Sequence, residues 1–185
     1  TGEVPDFVDE PRHRVRITRP FYMGETEVTQ EQWRRVQGTL PSRFEGLSLP
    51  VERVSWQDIQ GFLKDAEGGL RLPTEAQWEY ACRAGTETPF SFGEIISTQQ
   101  VNFDGNYPYE KGIKGEFRNR TVDCGSLPPN TWGLHEMHGN VWEWCSDSQA
   151  DYDVTQSVIE DPEGPASGIW LNWRGGCWLD TAWCC

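Results

Sequence analysis

The side chains of this 185-residue chain that could carry chemistry are six cysteines, three histidines and a few glutamates set along one motif. The cysteines are Cys82, Cys124, Cys145, Cys177, Cys184 and Cys185. None forms a CxxC pair, and His13, His135 and His138 are not spaced with them, so no zinc-site pattern is present. Their wide, irregular separation in a chain this long suits thiols better than a disulfide framework. Cys82 and Cys145 read as buried thiols that behave as small hydrophobes. His135-Glu136-Met137-His138 superficially matches a zincin, but that site needs histidines at i and i+4 on a helix. Here the spacing is i and i+3, and Gly139 follows at once. Two hydrogen-bonded loop histidines are the expected outcome.

Three short helices must hold these groups, and each is marked by the same device. Thr29 with Gln32 is a capping box, in which the hydroxyl accepts from the N3 amide and the N3 side chain reaches back. That helix carries Trp33 and Val36 on one face and stops at Gly38. Ser55 with Asp58 opens a second, with Ile59, Phe62 and Leu63 at helical spacing and Gly68-Gly69 as its end. Thr74 with Gln77 opens a third, with Trp78 and Ala81 inward and Gly85 as the stop. The expected spans are 29–37, 56–66 and 75–84. Arg14-Val15-Arg16-Ile17 and Asn140–Cys145 alternate polar and apolar residues, as half-buried strands do. Residues 86–135 are dense in Gly, Pro, Asn and Tyr with no countable period. A loop region this long has a function or needs local ties such as bound ions.

Composition narrows the classes. There are 10 Trp and 19 Gly against 2 Met, and only 36% of residues are hydrophobic. Such a chain builds its core from a few large rings and much irregular backbone, with indole N–H groups that want partners. This excludes a plain helical bundle. The net charge of −13 repels phosphate, which sets nucleic acid aside as a partner. No stretch reaches the roughly 18 apolar residues of a membrane span. No leader is visible at Thr1, though the chain does not begin with Met; cytoplasmic and cell-surface locations both fit. Nothing divides the chain, so a single domain over 1–185 is expected.

Four blocks resemble the formylglycine-generating enzyme (sulfatase-modifying factor) superfamily. They are Glu27–Gln30 after Phe21–Gly24, Arg71–Gly85, Trp132–Trp144, and Arg174-Gly175-Gly176 with Trp178. The resemblance covers most of the chain in family order. It implies a mixed α/β (α+β), C-type-lectin-like fold, with little regular structure around a small twisted antiparallel sheet flanked by helices. Relative to the family, the chain reads as cut at both ends.

The resemblance also implies metals. Calcium would be held by the side chains of Glu136 and Glu143 and the carbonyls of Gly139 and Val141, hard oxygens along an irregular loop. A second calcium would use Asn102, the Phe103 carbonyl and groups near Gly115 and Phe117, although catalytic members carry Asp at the position of Gly115. Catalytic members convert a protein cysteine to formylglycine with copper and O₂, the copper lying between two thiolates. Soft Cu(I) needs such ligands. Aligned on that motif, Asp180 stands where the first Cys should be and Cys185 where the second should be. Ala182 instead matches the non-oxidase branch. A copper- and O₂-dependent oxidase is therefore the alternative reading, and a non-catalytic protein the favoured one.

Departures from the family concentrate in 169–185, where four of the ten tryptophans fall. Arg174, Gly175, Gly176, Trp178, Ala182 and Cys185 keep the framework, with Trp178 expected in the core. Ile169, Trp170, Leu171, Trp173, Leu179, Asp180, Thr181, Trp183 and Cys184 fill variable slots. This pattern resembles the variable proteins of diversity-generating retroelements, in which adenine-directed mutagenesis diversifies this segment. It implies a display scaffold whose variable residues form one face for a protein or other macromolecular ligand, with exposed Trp as rigid anchors.

Overall fold

The computed structural model describes residues 11–149, 152, 155, 157–165, 168 and 170–185. The elements run β1 (Val15–Arg16), α1 (Gln30–Gln37), α2 (Trp56–Asp65), α3 (Glu75–Arg83), β2 (Glu143–Ser148), β3 (Ile159–Glu160) and β4 (Leu171–Arg174). A 3₁₀ turn over Ala182–Cys184 follows. The fold is mixed α/β with little regular structure, as the sequence implies.

All three capping boxes are closed: Thr29, Ser55 and Thr74 each accept from the N3 amide, and Gln32, Asp58 and Gln77 each reach back. The helices end within a residue of the expected spans, with some differences in how they stop. α1 ends at Gly38 in the left-handed region. α2 instead closes on Ala66 in extended backbone, and Gly68 and Gly69 shape the turn that follows. At α3 it is Ala84 that takes the left-handed conformation, with Gly85 next.

β2 and β4 pair antiparallel, with Glu143 opposite Arg174 and Trp144 opposite Trp173, and an irregularity before Ser148 opposite Leu171. β1 and β3 form a second, parallel pair that the sequence does not announce. The strand expected over Asn140–Cys145 starts only at Glu143. Gly139 and Asn140 both hold positive φ, 75° and 61°, which no strand accommodates, so the backbone turns there first. Residues 86–135 contain neither helix nor strand, only isolated bridges.

Apolar packing falls into three clusters. Trp33, Ile59 and Phe62 join α1 to α2, with the Trp33 and Phe62 rings stacked at 4.9 Å. Trp78 and Cys82 of α3 pack on Met137 and Cys145. Phe90, Ile96, Val101 and Phe103 of the long loop bury Ala182 of the C-terminal turn. α3 is further tied to the small sheet by polar contacts. Asp147 Oδ1 accepts the Glu75 amide at 2.8 Å, and Arg174 lies 3.5 Å from Glu75 and 3.4 Å from Glu79 while covering the Trp78 ring. Arg174 thus holds the scaffold, as expected.

Candidate functional site

The loop 136–143 converges on one buried asparagine. Asn140 is fully buried; its Nδ2 donates to both carboxylate oxygens of Glu27, at 3.1 and 3.0 Å. Its Oδ1 accepts from Asn102 Nδ2 at 3.0 Å and from the Val122 amide at 2.9 Å. The Asn140 amide donates to the Asn102 carbonyl, so the two loops implied to hold calcium are stitched to each other. Gly139 sits at this crossing, where an added Cβ would run into the Asn102 carbonyl.

Three carboxylates meet around this point. Burial lifts Glu27 well above the usual carboxylate range, and the charges of Glu143 and Glu136 lift it further against the opposing bonds from Asn140 and Cys124. Burial pushes Glu143 up to about 7, with Glu136 adding to the rise. The Trp78 indole opposes that rise, although its N–H closes no geometric hydrogen bond. Glu136 is buried with φ +49°, and its oxygens accept the Gly125 amide at 2.8 Å and the Leu127 amide at 3.1 Å. Glu136 thus raises both Glu27 and Glu143, and Glu143 raises Glu27. At the second loop, Asn102 Oδ1 is buried without a hydrogen-bond partner among the described residues. Among the described residues no three His, Cys, Asp or Glu side chains group as metal ligands. Sequence reasoning passes over Glu27. A glutamate two residues before a helix N-cap has no capping use, and that misfit was the available signal.

All six cysteines are free thiols, and Cys82 and Cys145 are buried as expected. His135 Nδ1 lies 2.8 Å from the Leu127 carbonyl; His138 Nε2 accepts the Ser91 amide at 3.1 Å. These are the loop contacts foreseen, and desolvation drops His138 to about 4.

The copper motif does not fit this donor set. Asp180 Oδ2 accepts the Cys177 amide at 3.0 Å and closes a turn with the Asp180 amide on the Cys177 carbonyl. Burial pushes the Cys177 thiol up to about 12, with Asp180 contributing. Burial also holds Cys185 well above the usual thiol range, with Cys184 and Asp180 adding to it. Asp180, engaged in that turn, stands where the motif's first thiolate would be, and a carboxylate is a hard ligand for soft Cu(I).

The variable slots divide into two groups. In the first, Trp170 and Trp173 are 70% and 57% exposed, and Leu171 is half-buried. Trp173 on β4 lies 5.9 Å from Trp142 and 5.6 Å from Trp144, whose ring continues to Trp56 at 6.0 Å. In the second, Leu179 and Trp183 are 57% and 46% exposed, with Trp183 4.3 Å from Tyr109. Thr181 and Cys184 are half-buried neighbours there. No ring contact among the described residues joins the two groups, and Ile169 lies outside those residues. Trp178, expected in the core, is only half-buried, edge-on to Phe44 at 5.4 Å and near Phe117 at 6.2 Å. The framework aromatics Trp56, Trp142 and Trp144 that extend the first group were not anticipated.

The fold is thus a scaffold of loops pinned by buried polar side chains, presenting aromatic residues from its C-terminal segment. Residues 2–184 match the sulfatase-modifying factor enzyme 1-like domain, and the chain belongs to that family. It is 33% identical over 185 residues to the formylglycine-generating enzyme of Mus musculus, covering 96% of this chain and 47% of that protein. A serine/threonine-protein kinase pkn1 of Chlamydia pneumoniae is 37% identical over 108 residues, 57% of this chain and 15% of the kinase. The chain thus spans less than half the length of either relative. Among solved structures, Treponema denticola variable protein 1 superposes with a TM-score of 0.73 at 29% identity, covering 88% of this chain and 74% of that one. The twofold resemblance read from the sequence, to the enzyme family and to a variable protein, is met on both sides.

Proposed function

We propose that this chain is a non-catalytic ligand-binding scaffold whose segment 169–185 forms the target-binding face, diversified by a retroelement. The observation that carries it is the exposure of Trp173 and Trp183 on backbone that is itself fixed. Trp173 sits in a paired strand, and the turn bearing Trp183 is bonded through Asp104 N–H to Asp180 O at 2.8 Å and Ala182 N–H to Tyr107 O at 3.1 Å. Large rings on a preorganised backbone lose little entropy on binding. The likeness to a variable protein supports the same reading. The test is genomic and direct. A near-copy of the 169–185 coding stretch should lie nearby, differing at adenines, beside a reverse transcriptase gene; its absence removes the retroelement origin.

Calcium belongs to this reading as a structural ion. Glu136 and Glu143 with the carbonyls of Gly139 and Val141 would hold one, and Asn102 with the Phe103 carbonyl a second. Bound ions would neutralise the acid cluster and stabilise the loops under the display segment by mass action. Thermal melting with calcium and with chelator should differ by several degrees; identical melts would remove the ions. The oxidase reading draws support from the mouse relative but requires a thiolate where Asp180 stands. Turnover of a cysteine peptide by copper-loaded protein would reinstate it.

A further inference from the structure

The most basic stretch of this acidic chain lies far from the display segment in sequence. Arg12, Arg14, Arg16 and Arg19 fall within eight residues of a protein whose net charge is −13. Arg12, Arg14 and Arg16 alternate with His13 and Val15, so along extended backbone they recur about every 6.6 Å. All three are exposed. With His13, Glu87 and Val158 they line an open hollow of about 760 Å³.

The outer arginines are pinned at its ends. Arg12 Nη2 lies 2.8 Å from Glu87, and Arg16 Nη1 lies 2.7 Å from Glu160 on β3. Both pairs are largely exposed, 80% and 82% for the first, so water screens them and another carboxylate can compete. Arg14 makes no ion pair or hydrogen bond through its side chain among the described residues.

The backbone beneath this strip is half used. The Arg14 and Arg16 carbonyls accept from Ile159 and Asp161, both at 2.9 Å. In a parallel ladder this turns the Val15 N–H and C=O to the opposite edge. Among the described residues that edge has no hydrogen-bond partner. An open edge of this kind is a template for an added strand.

We infer that β1 is a docking edge for an extended acidic peptide of a partner protein, which pairs with the Val15 backbone and sets alternate carboxylates against Arg12, Arg14 and Arg16. Charge complementarity selects the occupant. A second copy of this chain, at −13, is repelled as a whole, and an apolar strand would leave Arg14 unmatched. The period of the arginines equals the period of side chains on one face of an extended peptide. This site is independent of the C-terminal face.

Fluorescence anisotropy with the full chain tests the inference. The probe is a labelled peptide alternating Glu and Val. The comparison ligands are the same peptide N-methylated at alternate residues, an alternating Glu-Pro peptide of equal charge, and polyphosphate. The Glu-Val peptide should bind, and N-methylation or proline should weaken it at least tenfold because strand pairing needs peptide N–H groups. Arg14→Glu should weaken it at least tenfold with an unchanged far-UV circular dichroism spectrum. If that variant misfolds, Arg14→Gln should still weaken it at least threefold. No binding of the Glu-Val peptide overturns the inference. So does equal binding of the Glu-Pro peptide or polyphosphate, which would make the strip a general polyanion surface.

Discussion

Asn140 joins three segments through one side chain, and Asn140→Ala should be among the most damaging single changes in the chain. Truncation strands the Val122 amide, which donates to Oδ1 at 2.9 Å, and removes both N–H contacts from the Glu27 carboxylate. Asn102 Nδ2 loses its 3.0 Å acceptor but keeps the Arg120 carbonyl at 2.9 Å, so it adds little. The half-buried Val122 amide left without its acceptor and the buried Glu27 carboxylate left with only the Cys124 thiol cost about 1–3 kcal/mol each. Position 140 also holds φ +61°, where Asn is tolerated and Ala costs about 1–2 kcal/mol more. The sum is about 3–8 kcal/mol, against a typical domain stability of about 5–15 kcal/mol. Urea unfolding followed by tryptophan fluorescence, in excess calcium, measures it. Asn140→Gly separates the two causes: it should recover the backbone part, about 1–2 kcal/mol, and none of the rest. A loss below about 1.5 kcal/mol for Asn140→Ala, or wild-type stability for Asn140→Gly, would refute the reasoning.

Other expectations concern the display face, the thiols and a cap. Trp183→Ala should weaken target binding by about 2 kcal/mol with little loss of stability; equal destabilisation by Trp183→Ala and Trp178→Ala in parallel melts would make Trp183 a packing residue. Trp178→Ala should cost less than the ~3–5 kcal/mol of a fully buried Trp, because Trp178 is half-buried. Iodoacetamide at pH 8 should leave Cys82 unmodified in the folded chain, since burial pushes its thiol up to about 12. A thiol raised on folding stabilises fully below its unfolded value near 8.5 and loses that contribution as pH rises toward 12. Cys82→Ser should therefore flatten the loss of stability above pH 9 in denaturant titrations, by about 1.4 kcal/mol per pH unit. Thr74→Ala opens a capping box whose amide contact is 3.2 Å and should cost about 1 kcal/mol, read as a shift in urea midpoint.

What the sequence discloses is what is local. Capping boxes at Thr29, Ser55 and Thr74 involve residues three apart, so the helices were legible to within a residue. The strand at Glu143 was misplaced because its start depends on Asn140 reaching across the chain to Glu27 and Val122, contacts with no sequence period. β3 and the parallel pair were hidden for the same reason, since a two-residue strand has no alternation to count. Of the site, Glu136, Glu143 and the variable slots came from motif resemblance, not from pattern. Trp56, Trp142 and Trp144 escaped because their meeting with Trp173 is set by the β2–β4 register and by where α2 packs. Asp180 was read as a variable slot, yet its carboxylate closes a turn on Cys177.

The backbone anchors of the last eleven residues have a bearing on how this protein can change. Gly139 N–H to Gly175 O, Trp178 N–H to Asn140 O, Asp104 N–H to Asp180 O and Ala182 N–H to Tyr107 O are all main chain to main chain. None consults a side chain, so positions 179, 181, 183 and 184 can be exchanged freely without loosening the track that carries them. Outside that freedom lie Gly175 at φ +96°, Gly176, whose added Cβ would meet the Cys184 carbonyl at 2.6 Å, the buried Ala182, and Asp180, whose carboxylate holds the turn. A randomised library built on this chain should therefore return folded members at nearly any combination of the four slots. Survivors of a library randomised at 176 and 180 as well should keep glycine at 176 and an acceptor side chain at 180.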